Sequence, residues 1–155
     1  MIAGCINSTI PSTVTEIAGS VFSGCTGLSS ITIPDTVTTI GGSAFRGSGI
    51  TSITIPNSVT RIEQLTFGFC NSLTTVVIGS GVTYIGQKAF QSSDAIQSMT
   101  ILATTPPTLQ SQAAAVGSLG ATSLKFPIYV PAESVSAYKT AFTGYKNRIQ
   151  AIPES

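Results

Sequence analysis

Histidine and tryptophan are absent from this 155-residue chain, and charge is scarce, with seven Lys and Arg set against six Asp and Glu. Without an imidazole, every mechanism that needs a histidine base, proton shuttle or metal ligand is excluded. A net charge of +1 leaves no basic field to neutralise phosphates, so neither nucleic acid nor an anionic membrane surface is an expected partner. No apolar run approaches the ~18–20 residues of a membrane-spanning helix, and membrane insertion is not expected. Three cysteines, Cys5, Cys25 and Cys70, contain no CxxC pair and suit neither a zinc site nor a dense disulfide framework. No metal site and no cofactor are expected. Hydroxyl groups are abundant instead: Ser and Thr supply 43 residues, beside 42% apolar residues and a mean hydropathy of +0.39. That composition folds, and its length suits one compact domain or one short repeat array.

Internal repetition is plain. Ile10, Ile33, Ile55, Ile78 and Ile101 recur at spacings of 23, 22, 23 and 23 residues, the first three followed by proline. Each of the first four begins a unit with Val at offset four (Val14, Val37, Val59, Val82) and Ile at seven (Ile17, Ile40, Ile62, Ile85). Phe follows at twelve (Phe22, Phe45, Phe67, Phe90), then the aliphatic pairs Leu28/Ile31, Ile50/Ile53, Leu73/Val76 and Ile96/Met99. A period in this range is the signature of a solenoid whose units cannot bury their apolar faces alone. The segment Leu28-Ser-Ser-Ile31-Thr-Ile33 has the form L-x-x-L-x-L and predicts one parallel strand per unit. A second short β-stretch such as Val37-Thr-Thr-Ile40 follows, and then a turn in which Phe is the inward wedge.

The run Ile33-Pro-Asp-Thr-Val-Thr-Thr-Ile40, with Ala44-Phe45 after it, resembles the BspA-like class of leucine-rich repeats. The ending Pro106-Pro107-Thr108-Leu109, Ile128-Tyr-Val-Pro-Ala-Glu-Ser-Val135 and Arg148-Ile-Gln-Ala-Ile152 is similar to the C-terminal cap of gut-bacterial members. The fold class expected is therefore a leucine-rich-repeat solenoid, mostly β with parallel strands and short helical turns, closed by a small α/β C-terminal cap. The solenoid is expected over residues 1–105, as about four repeats, and the capping segment over residues 106–155. The resemblance implies a secreted or cell-surface bacterial protein whose repeats bind host or matrix proteins, and it supplies no catalytic residue.

Within the cap, Gln110 to Ser123 reads as a small-residue stretch with a weak helix around Ala113 to Ala115. Lys125 to Val130 reads as a strand, and Pro131 as the start of a helix whose Val135, Tyr138 and Phe142 share one face. Ile149 and Ile152 are expected in a last strand.

Strand positions pointing away from the core form two columns: Asn7, Ser30, Ser52, Thr75 and Ser98, and Thr9, Thr32, Thr54, Val77 and Thr100. They offer a hydroxyl-lined face for a protein or a glycan, although Ser and Thr also suit any solvated strand face. Arg61 and Tyr84, at equivalent offsets in adjacent units, add the residue types favoured at interfaces. Five strands at ~4.8 Å span only ~20 Å, so binding through this face alone is expected to be weak or multivalent.

Catalysis is not expected, because no two of the repeat carboxylates Glu16, Asp35, Glu63 and Asp94 share a column. Cys25 and Cys70 sit three residues after their Phe, where Ser48 and Ser93 stand in the other units, and are read as small column residues. Two units of stacking hold those thiols ~9–10 Å apart, too far for a mutual disulfide, so both are expected reduced. Lys139, Lys146 and Arg148 are read as solvated charges of the cap. The functional reading is a non-catalytic binding module, with a structural spacer near the cap of a longer array, or a glycan-binding module, as the alternatives. The segment Ile6 to Ile10 carries no Lys or Glu to guard its edge, so either the natural chain is expected to continue upstream or end-to-end self-association is expected at the N-terminal edge.

Overall fold

A computed structural model describes residues 9–111, 119 and 125–154. Among these, the elements in chain order are β1 (Glu16–Ile17), β2 (Thr39–Ile40), β3 (Ser52–Ile55), β4 (Arg61–Ile62), β5 (Thr75–Ile78), β6 (Tyr84–Ile85), β7 (Ser98–Ile101), β8 (Thr108–Leu109), β9 (Ile128–Val130), α1 (Val135–Ala141) and β10 (Ile149–Ala151). The strands form two parallel five-stranded sheets, ordered β1-β2-β4-β6-β8 and β10-β9-β7-β5-β3. Parallel in-register stacking is what a 22–23-residue period imposes: Ser52 pairs with Thr75 and Thr75 with Ser98, and Arg61 pairs with Tyr84. The resemblance to a leucine-rich-repeat solenoid therefore describes the fold.

The apolar offsets point inward. Val37, Ile40, Phe45, Ile50 and their equivalents in the next two coils are fully or almost fully buried. Phe22, Phe45, Phe67 and Phe90 stack face to face at 5.1, 5.4 and 5.3 Å, their chain held coil to coil by Phe22 N–H to Ala44 O, Phe45 N–H to Thr66 O and Phe67 N–H to Ala89 O. Phe22 departs from the expected buried ladder: it ends the stack and is half-buried, while the other three are sealed. Beside the rings runs the small-residue column. Cys70 donates to Phe45 O at 3.1 Å and Ser93 donates to Phe67 O at 2.7 Å, so each side chain satisfies a carbonyl of the preceding coil. Cys70 is buried and free, but Cys25 is disulfide-bonded, which corrects the expectation that both thiols stay reduced. The distance argument excluded only a Cys25–Cys70 bridge, and the partner sulfur lies outside the described residues.

The strand expected at Leu28 to Ile33 does not form, although the same pattern gives β3, β5 and β7. Where the strand is missing, the donor that later coils supply just after it is a proline. Gly79 N–H donates to Ile55 O and Leu102 N–H to Ile78 O, both at 2.9 Å. Pro56 occupies the position that would donate to Ile33 O, and Pro34 the one that would donate to Ile10 O; neither has an N–H. The sheet of longer strands therefore stops at β3, while the sheet of two-residue strands runs two coils further, to β1.

The cap continues the solenoid. β9 pairs with β7 through Met99 with Ile128 and Thr100 with Tyr129, and β10 pairs with β9. Pro131 precedes a 3-10 turn over Ala132–Ser134 that leads into α1. Tyr138 and Phe142 are buried edge to face at 5.1 Å, and the Tyr138 hydroxyl donates to Ala103 O at 2.7 Å. Arg148 is not the solvated charge expected: it is buried, its Nε donates to Phe126 O at 2.9 Å, and its guanidinium lies 3.8 Å from the Phe126 ring centre. Lys139 and Lys146 are exposed. The expected helix at Ala113 to Ala115 lies outside the described residues.

Candidate functional site

The sheet of longer strands presents the predicted columns. Along β3 and β5 burial alternates, so Ser52, Thr54 and Thr75 are exposed and Val77 is half-buried, while Ile53, Ile55, Val76 and Ile78 face the core. On β7, Ser98 and Thr100 are half-buried. Register then places Thr54, Val77, Thr100, Tyr129 and Gln150 in one line across the sheet. Tyr129 and Gln150 were absent from the sequence-based set because the repeat period lapses before the cap. The alternation Ile128-Tyr129-Val130, buried on either side of a half-exposed ring, carried the signal.

Thr9, Ser30 and Thr32 are exposed and lie with Ser52 and Thr54 around an open groove of about 830 Å³ at the β3 end of this sheet. Ile10, Ile31 and Ile33 contribute its apolar lining, and Asp35 lies at its rim. Asn7 lies outside the described residues.

Arg61 and Tyr84 belong to the other sheet, on β4 and β6, so the structure divides the predicted set between two sheets. The Arg61 guanidinium lies 3.9 Å from the Tyr84 ring centre, and its Nε donates to Glu63 at 2.8 Å. That hydrogen bond, reinforced by the charge of Glu63, holds the exposed guanidinium above its ordinary pKa. The Tyr84 hydroxyl and the Gln87 N–H both meet Gln110 Oε1, at 2.9 and 2.8 Å, so the pair is a braced, preorganised patch.

A second arginine–aromatic pair escaped the sequence reading. Phe69 is 36% exposed, has φ of 61°, and carries the Arg46 guanidinium 4.7 Å from its ring centre. Gly24 and Gly47 hold the equivalent left-handed position in the first two coils, so an aromatic at a glycine column was the available signal.

Among the described residues, no group of three His, Cys, Asp or Glu is placed to hold a metal ion. None of the helices there is long and apolar enough to cross a membrane.

A family model described as a BspA-type leucine-rich repeat region of six copies matches residues 4–113. The chain belongs to the BspA-type leucine-rich repeat family. Two solved structures are similar to it. A leucine-rich repeat protein from Bacteroides ovatus is 24% identical with a TM-score of 0.62, over 83% of this chain and 34% of that one. A leucine-rich cell surface protein from Faecalibacterium prausnitzii is 23% identical with a TM-score of 0.61, over 95% of this chain and 32% of that one. The BspA-type chain thus spans about a third of the length of these two proteins. No curated protein matches it.

Proposed function

We propose that this BspA-type protein is a non-catalytic binding module, exposed outside the cell, that docks a protein partner on the open face of its longer-stranded sheet. The observation that carries the reading is the unbroken outward column Thr54, Val77, Thr100, Tyr129 and Gln150, in which hydroxyls and one amphipathic ring sit on a rigid parallel ladder. Tyrosine on such a face provides contact area at low entropic cost, as at interface hot spots. The disulfide at Cys25 supports an oxidising, extracytoplasmic compartment, and the Faecalibacterium protein similar in fold is a cell surface protein.

The test is binding of the purified chain to a panel of immobilised extracellular-matrix proteins and mucin-type glycans. A protein target whose capture falls about tenfold with Tyr129→Ala and with Thr100→Arg, but not with Lys139→Ala on the cap, supports the reading. Capture that ignores both face substitutions refutes it, and capture of glycans alone moves the assignment to the glycan alternative.

A structural spacer is the second reading, favoured by the shortness of the face and by the fraction of the solved proteins that the chain spans. It expects no target on the panel.

A further inference from the structure

Left-handed backbone recurs at two positions of each turn that follows a short strand. With coils 1 to 4 counted from Ile10, Ile33, Ile55 and Ile78, the first position is Ser20, Ser43, Leu65 and Lys88, and the second is Gly24, Gly47, Phe69 and Ser92. All eight have φ between 54° and 73°. Coils 1 and 2 place serine and glycine there, and glycine adopts this backbone at no steric cost. Coil 3 places a leucine and a phenylalanine, for which it is strained. The core requires neither: Leu65 is half-buried outside the core cluster, and Phe69 is 36% exposed. A Cβ added to Gly68 would lie 3.0 Å from Leu65 Cδ2, so the leucine covers the turn directly beside Phe69. Phe69 N–H donates to Gln91 O at 2.7 Å and Gly47 N–H to Gly68 O at 2.8 Å, which holds that turn between its neighbours.

Cations stand on both sides of the apolar pair. Arg46 of coil 2 is exposed, with its guanidinium 4.7 Å from the Phe69 ring centre, and Lys88 takes in coil 4 the place that Leu65 has in coil 3. Among the described residues neither has a carboxylate within ion-pair distance, and Glu63, the acidic residue of coil 3, is bound to Arg61.

We propose that this patch docks an acidic, extended segment of a partner protein, in which one apolar side chain seats on Leu65 and Phe69 between two carboxylates that meet Arg46 and Lys88. Two strained apolar side chains stand together on the surface of one coil, where the neighbouring coils show that serine and glycine suffice, so the pair serves the surface rather than the core. Charge complementarity states the partner. Coils stack at about 4.8 Å, so Arg46 and Lys88, two coils apart, stand at least about 10 Å from each other. Carboxylates at i and i+4 of an extended chain are about 13 Å apart and lie on the same side as the residue between them at i+2. The recognised pattern is therefore acid-x-apolar-x-acid, laid along the stacking direction. Leucine offers a sugar no hydrogen bond, which favours a peptide over a glycan. The patch lies on the turns rather than on the longer-stranded sheet, so it adds a second surface to the binding-module reading and stands without the first.

The probe is the blocked peptide Asp-Ser-Leu-Ser-Asp, titrated into the isotope-labelled full chain and followed by amide chemical shift. Shifts are expected at residues 46–47, 65–69 and 88–91. Serine in place of the peptide leucine, or Phe69→Gly in the protein, weakens binding about tenfold. Lysine in place of both peptide aspartates also weakens binding about tenfold, and Arg46→Glu combined with Lys88→Glu inverts that preference. Phe69→Gly and Leu65→Ser each move the urea midpoint less than about half as far as Phe67→Ala.

An absence of shifts overturns the proposal, and so does a double charge variant that still prefers the acidic peptide. A midpoint loss in Phe69→Gly equal to that of Phe67→Ala makes Phe69 a packing residue and overturns it as well. Shifts at 65–69 that appear on raising the protein concentration without peptide name a second copy of the chain as the occupant instead. Shifts confined to 52–54, 75–77 and 98–100, with an affinity that falls in Tyr129→Ala and not in Phe69→Gly, place the peptide on the sheet face. That result rejects the patch while leaving the face in place, so loss of one reading is distinguishable from loss of the other.

Discussion

Phe67 lies between Phe45 and Phe90, at 5.4 and 5.3 Å, with no exposed surface. Phe67→Ala leaves a cavity walled on both sides by rings that are themselves fixed by backbone hydrogen bonds, so the site cannot collapse. Thermal or urea unfolding should show a loss of roughly 3–5 kcal/mol. Phe22→Ala at the half-buried end of the stack should cost clearly less. Cys70 adds a pH dependence. Burial raises its thiol pKa above the ordinary 9.0, the main cause, against weaker lowering by its hydrogen bonds to Ser48 and Gly47. The folded state therefore keeps a proton that the unfolded chain releases, so the stabilisation is complete below pH 9 and is lost as pH rises above it. Urea midpoints taken from pH 8 to 10 should fall, and Cys70→Ser should flatten the first part of that fall. A parallel decline in both proteins would refute it. The inward position of Phe67 was legible because one offset recurs in every unit. The disulfide at Cys25 was not, since counting coils between Cys25 and Cys70 says nothing about the third cysteine.

A strand forms here only when its pattern and its hydrogen-bond donors agree. Leu28-Ser-Ser-Ile-Thr-Ile33 and Leu73-Thr-Thr-Val-Val-Ile78 have the same apolar spacing, yet only the second contains a strand. Hydrophobic pattern sets which side chains face inward, and Ile33 is indeed buried, but it does not supply an N–H. The decisive residue belongs to the following coil, which is why a reading confined to one unit missed it. Gly79 makes the argument testable. Its N–H donates to Ile55 O, and a Cβ added there would lie 2.7 Å from that oxygen and 2.6 Å from the Pro56 carbonyl carbon. Gly79→Pro should remove the rung and force β5 away from β3, destabilising the protein by about 3 kcal/mol or more. Amides of 52–55 should lose hydrogen-exchange protection before those of 98–101. Equal protection across the two strands would show that the Ile-Pro column does not control where the sheet ends. The Tyr129 position shows the same limit from the other side: its outward direction was readable from Ile128 and Val130, but its register with Thr100 required the β7–β9 pairing.

At the scale of the whole molecule, the two ends of the stack are closed unequally. On the C-terminal side β9 and β10 extend the sheet, and α1 brings Tyr138 and Phe142 over the last coil. The Tyr138 hydroxyl reaches Ala103 O, and burial drives its pKa upward, so this contact ties the cap to the repeats throughout the neutral range. On the N-terminal side the described edge is β1, two residues long, with the exposed carboxylate of Glu16 on it. A short edge bearing a charge pairs poorly with another chain, whereas β7 without its cap would offer four residues together with the buried Met99, Ile101 and Ala103. The 106–155 segment is therefore expected to act as a barrier to association as much as a source of stability. Residues 1–105 expressed alone should sediment as larger, more strongly concentration-dependent species than the full chain. Adding lysines at Met99 and Ile101 of the truncated chain should not rescue a folded monomer, because those side chains face the core; a charge on the β7 rim, as Thr100→Lys, should reduce the association. A truncated chain that is folded and monomeric at the concentrations where the full chain is monomeric would show that the repeats close their own end and that the cap serves some other purpose.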